Sequence, residues 1–203
     1  MTLPGRKIVG VCGSPRKGSN SCIMLEAMLE CARESGVETE TILLSELVFS
    51  TCIGCERCRK AEICTGLDDD MTTLYPLILE STGLMLVSPT HNYNVTAPMK
   101  AFIDRLYCFY DFTDDHPRGY SSRLAGQGRI AAVAAVCEQT DPGDMGFTIE
   151  AMIRPLVALD YDIAGEVRAF GVFEAGGIKK YPDVLEQCRE LGQRTAKAVI
   201  AGG

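Results

Sequence analysis

The chain has 203 residues, a formal net charge of −7 and 46% hydrophobic residues. That suits one α/β domain over residues 1–203 with a substantial core, and excludes disordered and fibrous classes. So acidic a surface repels phosphate backbones and anionic lipid, so neither nucleic acid nor membrane is an expected partner.

Residues 1–7 carry no hydrophobic signal core, and the longest apolar run, 130–137, is too short to span a bilayer, which points to a cytoplasmic protein. In that reducing setting the 10 cysteines are expected to stay thiols, bind metal or do redox chemistry. Residues 7–12 form a β-rich run ending at Gly13-Ser14-Pro15, a buried strand followed by a turn. From 20 to 35, Ile23, Met24, Ala27, Met28 and Cys31 share one helical face, with Ser19 or Asn20 as N-cap and Gly36 as the stop. Residues 39–44 make a second strand, and a cysteine-rich loop follows at about 50–68. Asp68, Asp69 and Asp70 are expected to cap a helix running to about Ser81, with Pro76 either kinking it or delaying its start past Tyr75. A third strand at 84–88 leads to a helix at 96–107 with Met99, Phe102, Ile103 and Leu106 on one side.

After a glycine-punctuated connection over 116–128, a fourth strand is expected at 130–136 and a helix at 144–159, bent near Pro155. Residues 161–172 hold the fifth strand, with its core at 163–169, and a last helix runs from 182 to 201 with Leu185, Cys188, Leu191 and Val199 inward. Five strands alternating with helices predict a doubly wound parallel sheet of order 2-1-3-4-5, covered on both faces. Ligands of such sheets sit at the switch point between the first and third strands.

Two loops meet there. Residues 13–21 join the first strand to a helix N-terminus, where N–H groups and the dipole favour an anion. Ser14, Arg16, Ser19, Asn20 and Ser21 are the candidate contacts. Neither the dinucleotide fingerprint nor the triphosphate loop is matched, which favours a single terminal phosphate. The competing reading is a surface turn with a serine cap. The second loop offers Pro89, Thr90, His91, Asn92 and Tyr93. Its backbone amides suit the edge of a flat heterocycle such as an isoalloxazine, and His91 or Tyr93 suits its faces. A well-capped loop covering the core is the alternative.

Cys52, Cys55, Cys58 and Cys64 follow Cys-x2-Cys-x2-Cys-x5-Cys, a compact spacing that lets four thiolates converge on one iron-sulfur cubane. Gly54 frees the loop to fold, and Arg57, Arg59 and Lys60 are placed to offset the cluster's charge. Zinc, or no metal at all, are the competing readings, although structural zinc usually takes two separated knuckles. His91 and His116 are the only histidines and are not spaced as a metal pair, so no catalytic residue is assigned. Asp68, Asp69 and Asp70 read as a helix start rather than as metal ligands.

Ser14-Pro15-Arg16-Lys17-Gly18-Ser19-Asn20-Ser21, the cysteine spacing, Asp69-Asp70-Met71, and Ser88-Pro89 leading to Lys100-Ala101-Phe102-Ile103-Asp104-Arg105 together resemble the flavodoxin-like NAD(P)H-dependent FMN reductase superfamily. Within it the likeness is to the iron-sulfur flavoproteins. The resemblance implies FMN, a 4Fe-4S cluster on the four cysteines, and a homodimer or homotetramer. It also implies an electron partner such as a ferredoxin or a small-molecule acceptor. Its alternative is an NAD(P)H-dependent FMN or quinone reductase working by hydride transfer without a cluster. Many relatives carry Tyr or Phe where this chain has His91 and a small residue where it has Tyr93. By the same likeness the loop 138–143 borders the flavin.

Overall fold

The computed structural model describes residues 5–202. Of the segment 1–7 read for a signal core, residues 1–4 lie outside them. Strands β1 (Gly5–Cys12), β2 (Glu38–Leu43) and β3 (Ser81–Pro89) alternate with helices α1 (Asn20–Glu34), α2 (Cys58–Ala61) and α3 (Met71–Glu80). There follow α4 (Ala97–Arg105), a short pair β4 (Tyr110–Phe112) and β5 (Tyr120–Ser122), β6 (Ile130–Val136), α5 (Thr148–Ala158), β7 (Asp162–Ala169) and α6 (Pro182–Ala201). The main sheet is parallel with order β2-β1-β3-β6-β7, the expected doubly wound arrangement.

Alternation along the strands divides the core in two. Val9, Val11, Leu84, Leu86, Ala131 and Val133 face a layer built by α3, α4 and α5. Ile8, Cys12, Met85, Val87, Ala132 and Ala134 face α1 and α6. Because both faces are covered, the inner strands β3 and β6 are buried along almost their whole length, whereas the edge strands β2 and β7 keep polar residues. α1 and α6 approach so closely that a side chain at Gly192 would overlap the Met28 carbonyl. No helix of the described residues is long and apolar enough to cross a membrane.

Several elements depart from expectation. Pro76 lies inside α3, which nonetheless starts at Met71, so the start is not delayed past Tyr75. The expected helix at 144–159 is a 3-10 turn at Pro142–Met145 followed by α5, and α4 ends at Arg105 in a 3-10 turn rather than running to Tyr107. The glycine-punctuated connection contributes β5, which pairs antiparallel with β4. Asp70 makes no side-chain cap on α3; it accepts the Val48 N–H instead, while Asp69 accepts those of Ser50 and Met71.

A buried cation closes the far end of α3. Arg129 is 1% exposed and donates to the carbonyls of Ile78, Leu79 and Ser81 at 2.7–2.8 Å, so it satisfies acceptors that a helix end leaves without partners. Replacing Arg129 with Met should cost about 3 kcal/mol or more, because several buried acceptors lose their donor at once. Urea unfolding checks this, with Arg129→Lys expected to recover only part of the loss.

Candidate functional site

At the switch point, β1 and β3 run into the loops that wall a cleft of about 320 Å3. Gly13 N–H donates to Val87 O at 2.8 Å and Thr96 Oγ1 donates to Gly13 O at 2.6 Å, which ties the two loops together. Ser14, Arg16, Ser19, Asn20, Ser21, Pro89, Thr90, His91 and Asn92 all line the cleft. Tyr93 is not among the lining residues. Its ring is exposed, its φ is +64°, and its carbonyl accepts the Phe147 N–H.

Ser19 is the observed N-cap of α1, its Oγ accepting the Cys22 N–H at 3.2 Å. Ser14, Ser19 and Ser21 are each no more than 4% exposed, yet the Ser21 hydroxyl has no hydrogen-bond partner. A buried hydroxyl without a partner at a helix N-terminus, in a cleft wall, fits an anionic group such as the terminal phosphate of FMN. In the loop after β3 the Thr90 N–H donates to Val136 O at the end of β6 and the His91 N–H to Asn94 O, so these two amides are already engaged within the protein.

Sequence reasoning missed one wall. Val172, Phe173 and Ala175 line the cleft after β7; Val136, the last residue of β6, and Glu138, in the expected bordering loop, complete it. Asn20 holds this segment, donating through Nδ2 to Glu174 O at 2.9 Å and accepting the Ile178 N–H at 3.1 Å. Arg16 lies 4.9 Å over the Phe173 ring and donates to the Phe173 carbonyl. No local pattern in residues 170–178 signals this, because the contacts join segments more than 150 residues apart.

Cys52, Cys55, Cys58 and Cys64 line a second, small pocket together with Cys108, Arg105 and Tyr107. Among the described residues no three His, Cys, Asp or Glu side chains are drawn into a metal-holding group. The chemistry of the donors nevertheless fits a thiolate-bound cluster. Burial pushes the Cys64 thiol up, but the Gly66 and Leu67 backbone, the Arg105 guanidinium and the Tyr75 hydroxyl outweigh it and leave the thiol below its usual value. Burial raises Cys58, and the nearby Cys64, Cys52 and Cys55 add to it. A side chain at Gly66 would overlap Cys55 Sγ.

A cation outside the expected Arg57, Arg59 and Lys60 stands at the thiols. Arg59 is engaged by Asp114 at 2.8 Å and Glu56 at 3.5 Å, whereas the fully buried Arg105 faces the thiols. Arg105 grips both Asp69 oxygens at 2.8 and 3.0 Å, Ser50 O at 2.9 Å and Tyr75 Oη at 3.1 Å, so it fixes the base of the cysteine loop. Burial raises the Asp69 carboxyl, but the Arg105 hydrogen bonds, the Ser50 and Met71 N–H groups and the Arg105 charge hold it below its ordinary 3.8. Its stabilising contribution is therefore complete above pH 3.8 and lost as pH falls through the lower native value. Unfolding of metal-free protein at graded pH should show that acid loss, and Asp69→Asn should flatten it.

Helix α4 joins the two places. Thr96, its N-cap, bonds to Gly13 in the loop after β1, and Asp104 and Arg105 at its other end line the thiol pocket. Its 9 residues span about 13 Å.

Residues 6–143 match the family described as NADPH-dependent FMN reductase. The chain is 34% identical over 196 residues to an iron-sulfur flavoprotein of Archaeoglobus fulgidus, covering 95% of this chain and 80% of that protein. It is 29% identical to an iron-sulfur flavoprotein of Methanocaldococcus jannaschii, over 95% of this chain and 97% of that one. An FMN-dependent NADH-azoreductase from Bacillus anthracis, solved in complex with FMN, superposes with a TM-score of 0.69 at 17% identity. That match covers 94% of this chain and 99% of that one, and shows the shared flavodoxin-like fold.

Proposed function

The chain belongs to the NADPH-dependent FMN reductase family and is an FMN-dependent oxidoreductase, and on that premise we propose that it passes electrons between FMN and a 4Fe-4S cluster. FMN would seat its phosphate on Ser14, Ser19 and Ser21 and its ring against Pro89, Thr90, His91 and Asn92. Cys52, Cys55, Cys58 and Cys64 would hold the cluster. The observation that carries the reading is the pairing of a cleft containing an unpartnered buried serine with a four-cysteine pocket at the other end of α4.

When bound, FMN exchanges electrons or hydride and the cluster exchanges single electrons. The chain's own residues bind, orient and shield. The serines and the α1 N-terminus hold the anion. Asn20 keeps the 174–178 segment against the cleft, and Phe173 with Val172 covers one side from water. Arg105 supplies a buried positive charge beside the thiolates and fixes their loop through Asp69. No side chain in the cleft is required as acid or base. A ferredoxin-like protein or a small-molecule acceptor would take the electrons.

A second reading, hydride transfer from NAD(P)H without a cluster, is favoured by the exposed aromatic rings of Tyr93 and Phe147 beside the ring loop, which offer a face to a second flat ring. Titrating FMN-loaded protein with NADH and with NADPH under anaerobic conditions tests the donor. Bleaching of the bound flavin supports nicotinamide as donor; an unchanged flavin spectrum with both removes it.

A further inference from the structure

Two thiols outside both pockets meet at the edges of the phosphate loop. Cys12 ends β1 and Cys22 lies in the first turn of α1, and their sulfur atoms are in direct contact, 2.7 Å apart. The Ser19 hydroxyl donates to Cys22 Sγ at 3.1 Å, and Cys22 is the third residue of a 15-residue helix. Cys12 is completely buried, whereas Cys22 is partly exposed, so the two sulfurs differ in what they can meet. Their protonation differs in the same sense. The hydrogen bond between them and burial hold Cys12 up. The Cys12 hydrogen bond, aided by Ser19 and opposed by burial, holds Cys22 below its usual value.

We propose that Cys12 and Cys22 form a dithiol–disulfide site that reacts with low-molecular-weight disulfides and brackets the phosphate loop Gly13 to Ser21. The partly exposed Cys22 thiolate attacks one sulfur of the external disulfide RSSR, forming a mixed disulfide and releasing RS⁻. The Cys12 thiol then gives its proton to that thiolate and attacks Cys22 Sγ. The mixed bond breaks, the Cys12–Cys22 bond forms and the second RS⁻ leaves. The two cysteines lose two electrons and RSSR gains them, ending as one RSH and one RS⁻. Neither FMN nor a cluster takes part, so the site stands or falls apart from the proposed function.

The test equilibrates the protein as isolated, without oxygen, in glutathione buffers of graded ratio, then acid-quenches, alkylates and digests it with trypsin. The expected product is a disulfide joining the peptide 8–16, which carries Cys12, to the peptide 18–33, which carries Cys22 and Cys31. Cys31→Ala should keep the linkage, and Cys22→Ala should lose it completely. Cys12→Ala should lose it too and accumulate glutathione on Cys22, because nothing resolves the mixed disulfide. The proposal is overturned if the wild-type chain keeps both thiols alkylatable in fully oxidised glutathione. It is equally overturned if Cys22 pairs with another cysteine or stops at the glutathione adduct.

Discussion

Replacing Cys58 with serine is expected to abolish bound iron and sulfide while leaving FMN at its wild-type content. Cys58 opens α2, is partly buried, and lines one pocket with Cys52, Cys55 and Cys64. A serine hydroxyl is a far weaker ligand for iron than a thiolate, so one exchange opens the cubane. Flavin should survive because the residues lining the cleft and the thiol pocket do not overlap. Metal and sulfide analysis alongside flavin absorbance reads both outcomes together. Loss of flavin along with iron would mean that the cysteine loop also builds the cleft.

Ser21→Ala is expected to change the apoprotein and the complex in opposite directions. The Ser21 hydroxyl is 1% exposed and has no partner, an arrangement that costs roughly 1–3 kcal/mol. Removing it should leave the apoprotein equally or more stable in a thermal melt. The same change would remove the proposed charge-assisted hydrogen bond to the FMN phosphate, worth about 1.5–3 kcal/mol, so FMN affinity should fall roughly tenfold to a hundredfold. Flavin fluorescence titration measures it. An unchanged affinity would show that the hydroxyl does not meet the phosphate.

Where local chemistry and tertiary demand agreed, the sequence was readable. β6 occupies 130–136 as expected because its alanines and valines must be apolar on both faces, and Ser19 caps α1 because its hydroxyl meets the orphan N–H of Cys22. What escaped reading depends on distant partners. β4 and β5 have three residues each, too few for a period to register. Pro76 sits within α3 although its missing N–H argues for an interruption, since tertiary packing of Leu74, Tyr75 and Ile78 holds the helix. Asp69 looked like a helix cap and is chiefly the carboxylate partner of a buried arginine. Nothing local marks Arg105 and Arg129 as buried; their burial comes from the helix ends and loops brought beside them. Cys108 is buried in the core and also lines the thiol pocket, a second role that no local pattern marks.

The account's central claim is that two centres, a flavin and a thiolate-bound cluster, sit on one chain at opposite ends of α4. Protein prepared anaerobically and analysed for FMN, iron and acid-labile sulfide tests it most directly. The account predicts about one FMN and about four irons with four sulfides per chain. Flavin without iron or sulfide, persisting after anaerobic reconstitution, would contradict it and leave hydride transfer as the function of the cleft.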